Sequence, residues 1–340
     1  MHLRTLGNTL RYPMRTESPL SVSVIIPTYN MGWKLRKCLE GLEKQAYPKE
    51  AYEIIVVDDG STDDTKSIIE GFRIRYCFQE NRGPATARNR GVEMAKGDIV
   101  LFTDADCIPN DNWIQNMASP FQNPEIIAVK GTYKTKQRSL WARFAQIEFN
   151  ERYKMLLKHE YIDMVDTYSA GYRKEAFLSV GGFDTSFPFP NNEDTDLSYK
   201  LSLRGSKMVF NPHAIVWHSG HPDTLKTYSK LKFWRGYWRM VVYRRYSYKM
   251  IKDSYTPQTL KLQIGLAFFL ICSFLLTVFL PLVMVYLFLA GVLFFMVSSF
   301  PFVRLALKND KRVGLLSPFL LFVRAIALGS GVLYYLLKRF

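Results

Sequence analysis

DIVLFTDAD, residues Asp98–Asp106, reads as a buried strand that runs out of apolar residues and into acids. Upstream, SVSVIIPTY (Ser21–Tyr29) and EIIVVDD (Glu53–Asp59) are runs of the same kind, and Ile74–Phe78 is a shorter one. Helical patterns lie between them. Trp33–Gln45 is amphipathic, Ser61 or Thr62 can cap a helix starting near Asp63, and Pro84–Ala95 carries a proline in its first turn. Strands that alternate with helices predict βαβ units and a parallel sheet. Ligands of such sheets bind beyond the carboxyl ends of the strands. Three of these strands end in polar residues: Pro27-Thr28-Tyr29-Asn30, Asp58-Asp59-Gly60-Ser61 and Asp104-Ala105-Asp106. Their polar groups converge where a ligand should sit.

The stretch from Pro109 to Pro222 is more mixed. It predicts a helix at Trp141–Leu157, a strand near Met164–Ser169, a loop at Gly181–Asp184, a helix starting at Asn192–Glu193 and a strand at Lys207–Phe210. This second half covers the sheet and builds the acceptor side.

Composition then shifts. The chain carries a net charge of +15 at pH 7, and +14 of it falls in residues 223–340, where the apolar runs also lie. A nucleic-acid binder would carry its basic stripe on the folded domain, so no nucleic-acid partner is expected. Residues 225–252 hold nine Lys/Arg and no acids, with Trp234, Tyr237, Trp238, Tyr243, Tyr246 and Tyr248 among them, a mixture suited to a helix in the lipid interface. Leu262–Val303 is free of charge for 42 residues, with Pro281 near its middle. That is about twice the ~20 residues a span requires, so two membrane helices joined by a tight turn are expected. Both flanks are basic, which places both on the cytosolic side. Leu315–Leu337 is a third apolar stretch, interrupted by Arg324; it either spans or lies against the other two. Cys38, Cys77, Cys107 and Cys272 are scattered, without the spacing of a zinc site or disulfide framework. The first twenty residues have no apolar core of a signal peptide, so the N-terminal domain is expected to stay in the cytosol.

Chemistry concentrates in four motifs. Asp104-Ala105-Asp106 offers two carboxylates at close spacing, as a divalent ion bridging a diphosphate requires. In VVDDGSTDD (Val56–Asp64) an acid can accept a hydrogen bond from a base or ribose, and the same segment can cap a helix. In NRGPATARNRG (Asn81–Gly91), Arg88 can face a phosphate or pair with the acids. In NNEDTDL (Asn191–Leu197), adjacent acids at a helix start can furnish a general base or serve as ordinary caps. A helix N-terminus there tends to lower their pKa values.

Together with GGFDTSF and the HAIVWH tail, these motifs resemble the inverting family 2 glycosyltransferases with the GT-A fold, in the family's order and spacing over roughly residues 20–240. The resemblance implies that Pro27, Thr28, Tyr29, Asp58 and Asp59 line the nucleoside pocket, and that Arg88 also belongs to the nucleotide-sugar site. Asp104 would contact ribose or metal, and Asp106 would be the main ligand of Mg²⁺ or Mn²⁺. Asp194 would deprotonate the acceptor hydroxyl, with Glu193 supporting it. His218 falls where relatives place a residue near diphosphate or metal; a buried structural histidine is the alternative.

Two departures narrow the reading. Processive members carry Gln-x-x-Arg-Trp after the base, whereas this chain reads KLKFWRGYWRM, so one or a few added sugars are expected, with Arg235 approaching the diphosphate. Dolichyl-phosphate mannose synthases follow the metal acids with Leu-Gln-His-Pro, whereas Cys107-Ile108-Pro109-Asn110 stands here. A polyprenyl-phosphate glycosyl synthase is therefore the alternative rather than the first reading. A sugar nucleotidyltransferase would carry a Gly-rich loop in place of Pro27–Asn30, and an inactive scaffold would have lost Asp106 or Asp194. The expected organisation is an extension (1–19), a GT-A domain (20–222), an amphipathic interface segment (223–261) and a membrane region (262–340) with segments 262–280, 282–303 and 315–337. The expected protein is a multi-pass cell-membrane enzyme with a cytoplasmic catalytic domain, a nucleotide-sugar donor (UDP favoured over GDP) and a lipid-linked or glycan acceptor.

Overall fold

A computed structural model describes residues 18–187 and 191–338, so most of the expected N-terminal extension lies outside the described residues. The chain runs β1 (Val22–Thr28), α1 (Gly32–Glu43), β2 (Tyr52–Asp58), α2 (Thr65–Ile69), β3 (Arg75–Phe78), α3 (Pro84–Met94) and β4 (Ile99–Phe102). It continues with β5 (Cys107–Pro109), α4 (Trp113–Ala118), β6 (Ile126–Lys134), α5 (Leu140–Leu156), β7 (Ala170–Arg173), α6 (Lys174–Ser179), α7 (Glu193–Leu203) and β8 (Lys207–His218). Four long helices close it: α8 (Leu225–Arg245), α9 (Gln258–Leu276), α10 (Pro281–Asn309) and α11 (Lys311–Leu337).

One sheet carries the fold, in the order β3-β2-β1-β4-β7-β6-β8-β5. The first four strands are parallel, as the β-branched runs require, and Val24, Ile25 and Ile26 are fully buried because helices cover both faces. The second half joins antiparallel, through β7 against β4 and β6, and β5 against β8. The chain leaves β1 toward β2 on one side and returns to β4 on the other, which opens a crevice at their carboxyl ends.

Several expectations shift here. The strand sought near Met164–Ser169 begins only at Ala170, after a short 3₁₀ turn at Thr167–Ser169. The strand expected to stop at Phe210 runs on through Asn211 and Pro212 to His218, its pairing with β6 interrupted by an irregularity. The last residue before α7, Asn192, takes a left-handed conformation (φ 64°).

The apolar C-terminal runs form three helices long and apolar enough to cross a membrane, and Pro281 opens the second of them. Residues at the α9–α10 turn bare their side chains, with Val278 80% exposed. By contrast α11 touches α8 and reaches α5. Asp310 pairs with Arg143 of α5 at 2.6 Å, and Arg324 reaches Glu148 of α5. Leu328 lies so close to Gly236 of α8 that a Cβ there would come within 2.2 Å of its carbonyl oxygen. Helix α8 is also more inward-facing than its composition suggests. Lys232 pairs with Glu148, Arg245 with Asp184 and Asp196, and Lys249 just beyond it with Asp163.

Candidate active site

The register sets Thr28 beside Asp58 and Ile25 beside Phe102, so the polar ends of β1, β2 and β4 lie at one level. A cleft of about 600 Å³ opens there, lined by Pro27, Thr28, Tyr29, Asp59, Arg88, Asp104, Asp106 and His218 among others. Asp58 does not line it. Its Oδ1 accepts from Ser61 N–H (2.8 Å) and its Oδ2 from the Tyr76 hydroxyl (3.0 Å), so the carboxylate ties β2 to β3 and to the following loop. Asp59 does face the cleft, while accepting from Gln79, Arg82 N–H and Gly83 N–H and thereby shaping the entry to α3.

Pairing of β5 with β8 sets Cys107 against His218 and brings Asp106 to the same place. Asp106 Oδ2 and His218 Nε2 stand 3.5 Å apart. A Cβ on Gly220 would fall 2.0 Å from that Asp106 oxygen and 3.0 Å from that nitrogen, so the backbone leaves the pair a space only glycine keeps open. Ligand atoms of Asp106, Cys107 and His218 all lie within 4.8 Å of one another. Cys107 is a soft sulfur donor, which hard cations such as Mn²⁺ and Mg²⁺ disfavour against oxygen and nitrogen. That leaves a carboxylate and an imidazole, a donor set that fits a cation such as Mn²⁺ or Mg²⁺. Asp104, expected as a second ligand, stands outside this trio because its Oδ1 accepts from Arg88 at 2.9 Å.

Arg88 pairs with the acids and also lines the cleft. It is buried on α3 and bridges Asp104 and Glu193 (2.9 and 3.0 Å), joining the strand end of the first half to the α7 start of the second. Beyond this bridge lies a second chamber of about 200 Å³, lined by Arg88, Asp104, Glu193, Asp194, His218, Arg235 and several residues of the second half. Among the described residues Asp194 accepts from Thr195 alone, through its N–H (2.7 Å) and more weakly its hydroxyl (3.3 Å), both on Oδ1. Burial, then the charges of Glu193 and Asp166, raise its carboxyl to about 7. The helix N-terminus was expected to lower it, but desolvation wins because the dipole effect is small and confined to the first turn. A carboxylate with this pKa is poised to accept a proton near neutrality.

Arg235 lies in the second chamber, not the first cleft. Residues not anticipated complete its wall: Arg152 and Tyr133, Asp166 with its ion-pair partner Lys130, Arg239 and Tyr255. Arg239 follows Arg235 by four residues, one helical turn, and that spacing could have flagged it. Nothing local marks Arg152 or Tyr255, which the fold brings in from α5 and from the loop after α8.

A family model described as glycosyl transferase family 2 matches residues 23–181. "Glycosyltransferase AglE" of Haloferax volcanii is 40% identical over 211 residues, 59% of this chain and 67% of that protein. A dolichyl N-acetyl-α-D-glucosaminyl phosphate 3-β-D-2,3-diacetamido-2,3-dideoxy-β-D-glucuronosyltransferase of Methanococcus voltae is 26% identical over 220 residues, 57% of this chain and 65% of that protein. The chain thus spans about two thirds of the length of each. Among solved structures, a mannosyltransferase of Pyrobaculum calidifontis, in complex with GDP-Man and Mn²⁺, superposes with a TM-score of 0.61 over 95% of this chain and 88% of that one. At 19% identity this likeness shows the fold, a GT-A-like mixed sheet followed by helices.

Proposed function

The chain belongs to glycosyl transferase family 2 and is a glycosyltransferase; from that membership and the cleft's geometry we propose an inverting, metal-dependent transfer of a sugar from a nucleoside diphosphate to a hydroxyl of a membrane-associated acceptor. The observation that carries this reading is the placement of Asp194, its carboxyl near 7, in a chamber that shares Arg88, Asp104 and His218 with the donor-side cleft.

The donor's nucleoside lies at Pro27, Thr28, Tyr29 and Asp59, and its diphosphate points toward Asp106 and His218. These two residues would hold the cation, Mg²⁺ or Mn²⁺, which would supply positive charge to neutralise the departing diphosphate. Asp194 takes the proton of the acceptor hydroxyl, whose oxygen bonds to the anomeric carbon as the bond from that carbon to the diphosphate oxygen breaks. One displacement inverts the configuration. Glu193, held by Arg88, fixes the start of α7 and so the position of Asp194. The absence of Gln-x-x-Arg-Trp after the base supports addition of one or a few sugars.

Helices α9 and α10 form the hairpin that anchors the enzyme in the cell membrane, and the catalytic domain sits on the cytoplasmic face. The test is transfer and donor hydrolysis by the purified full chain with Mn²⁺ or Mg²⁺, across UDP- and GDP-sugars. UDP-sugars are the expected donors, and GDP-mannose, named with the Pyrobaculum enzyme, is the first comparison. Turnover of no nucleotide sugar, with either metal, would sink the reading.

A further inference from the structure

Behind the catalytic chamber a second cavity of about 270 Å³ opens toward the apolar helices. Its far wall is apolar: Met240 from α8, Leu260 and Ile264 from α9, Leu328 and Val332 from α11. Arg152, Arg235, Arg239 and Tyr255 line both this groove and the catalytic chamber, so three guanidiniums stand at the neck between them. Among the described residues none of the three has an ion-pair or hydrogen-bond partner; Arg152 rests on the rings of Phe149 and Tyr255 (4.9 and 4.8 Å) and Arg239 on Tyr243 (5.8 Å). The nearby acids are engaged elsewhere. Glu148 holds Lys232, Tyr228 and Arg324, and Asp166 holds Lys130 and Tyr255. Glu148, Asp166, Asp253 and Asp194 attract Arg152 and Arg239 without direct contact, so three guanidiniums at one neck keep their N–H donors free, and an anion there would engage them directly.

We propose that the neck binds the phosphate or diphosphate of a lipid-linked saccharide acceptor, with the lipid chain in the groove between α8, α9 and α11 and the saccharide in the chamber at Asp194. This deepens the transfer reading and rests on it for what is done to the bound saccharide. A soluble glycan would leave both the apolar groove and the guanidiniums without use. A guanidinium matches a phosphate through paired N–H donors, and the groove continues into helices whose apolar side chains are bared. A bulk phospholipid offers a phosphate too, but no hydroxyl-bearing sugar to reach the chamber beyond the neck. The phosphate is held rather than glycosylated: an already ionised oxygen has no proton for Asp194 to take. The new bond joins the saccharide hydroxyl oxygen to the donor's anomeric carbon, the donor's carbon–phosphate oxygen bond breaks, the proton goes to Asp194, and the lipid's own phosphate ester is unchanged.

Native mass spectrometry of the full chain in detergent tests the site with four probes: a polyprenyl-diphosphate-linked monosaccharide, polyprenyl phosphate, polyprenol and phosphatidylglycerol. Both phosphorylated polyprenyl probes should bind about tenfold or more tighter than polyprenol, the range of charged hydrogen bonds. Phosphatidylglycerol should not displace them at equal concentration. The double variant Arg152→Gln/Arg239→Gln should lose at least about tenfold in that binding, while its affinity for the donor nucleotide and its melting temperature stay near wild type. Should the double variant prove misfolded, Met240→Trp, which narrows the groove, should weaken long-chain probes while sparing donor binding. Equal binding of polyprenol and polyprenyl phosphate, or displacement by phosphatidylglycerol, would overturn the site. Unaltered use of a lipid-linked acceptor by a folded double variant would do the same and leave the transfer reading standing. Lipid-phosphate binding without turnover of any donor would remove the transfer reading and keep the site.

Discussion

The two walls of the cleft satisfy their acids in opposite ways. On the donor wall Asp58 and Asp59 give their oxygens to backbone amides and neighbouring side chains of the loops around them. Those carboxylates are structural ties that also shape a pocket. Across the Arg88 bridge, Asp194 has one amide partner, and buried polar atoms of Glu193, Asn191, Asn192 and His218 have no partner among the described residues. Donor-wall acids give rigidity; across the bridge Glu193 and Asp166 are likewise held, by Arg88 and by Lys130 and Tyr255, and it is Asp194 that is left free to act on something that arrives. Substituting the first kind should cost stability, and substituting the second kind should cost turnover.

The largest effect should come from Asp194. Asp194→Asn is expected to cut kcat by roughly a thousandfold while leaving the donor's dissociation constant near wild type. In the proposed reaction the carboxylate form is the base, so kcat/KM of the wild type should rise with pH and level off above about 7. The Asn variant should lack that limb. The stability sign is opposite: a carboxyl raised from 3.8 to about 7 on folding favours the native state below the lower value and loses that contribution as pH rises through 7. Asp194→Asn should therefore be at least as stable as wild type at pH 8 in thermal melts. A large loss of nucleotide-sugar affinity would instead move Asp194 to the donor wall.

Next in size is the pair opposite Gly220. Asp106→Asn should lower turnover by roughly a hundredfold, and excess EDTA should mimic it. Gly220→Ala should do nearly as much, because its methyl would sit on Asp106 Oδ2. Mn²⁺ titration followed by electron paramagnetic resonance should show weakened binding in both variants. Full activity in EDTA would show that no metal is needed.

Asp58→Ala tests the other half of the comparison. It frees Ser61 N–H and the Tyr76 hydroxyl and should cost about 2–4 kcal/mol of stability, seen as a lower melting temperature. Turnover per folded molecule should change far less than in Asp194→Asn. Loss of turnover at an unchanged melting temperature would break the distinction between the walls.

This contrast also explains what could be read from the residues alone. The donor wall is built from consecutive βαβ units, so strand pattern and terminal acids sit side by side in the chain and announce themselves. The other wall is assembled from strands that violate the pattern. Strand β6 carries Lys130 in its buried interior, paired to Asp166, and β8 passes through Pro212, so neither has the look of a central strand. Arg152, Arg239 and Tyr255 meet only through tertiary folding, and local spacing carries no trace of that meeting. Asp106 and His218 could be named from the family resemblance, but their juxtaposition depends on β5, a three-residue strand that has no periodicity to detect.

The smallest energetic effect, and the sharpest topological one, concerns the proposed membrane hairpin beside the second wall. Lys252 precedes α9 and Lys308 ends α10, and both are exposed. Neighbours of each touch the catalytic domain: Ser254 N–H donates to Asp163, and Asp310 pairs with Arg143. The α9–α10 turn carries Val278 and Phe279, bared at 80% and 76%, away from that domain. A span needs about 20 residues at ~1.5 Å each, and 19 and 29 residues in the two helices suffice. In protein with Cys77 and Cys272 replaced by serine, cysteines at Lys252 and Lys308 should label from the side that holds the catalytic domain, and one at Val278 should not. Helix α11 packs on α9 and α10 through Gly329 and Phe322, but also reaches α5 through Arg324 and α8 through Leu328; on the reading that these last contacts keep it against the catalytic domain instead of crossing, a cysteine at Lys338 should label from that same side. Activity of these variants should match wild type. Labelling of position 308 from the far side would end the hairpin; labelling of position 338 from the far side would make α11 a third span and leave the hairpin intact.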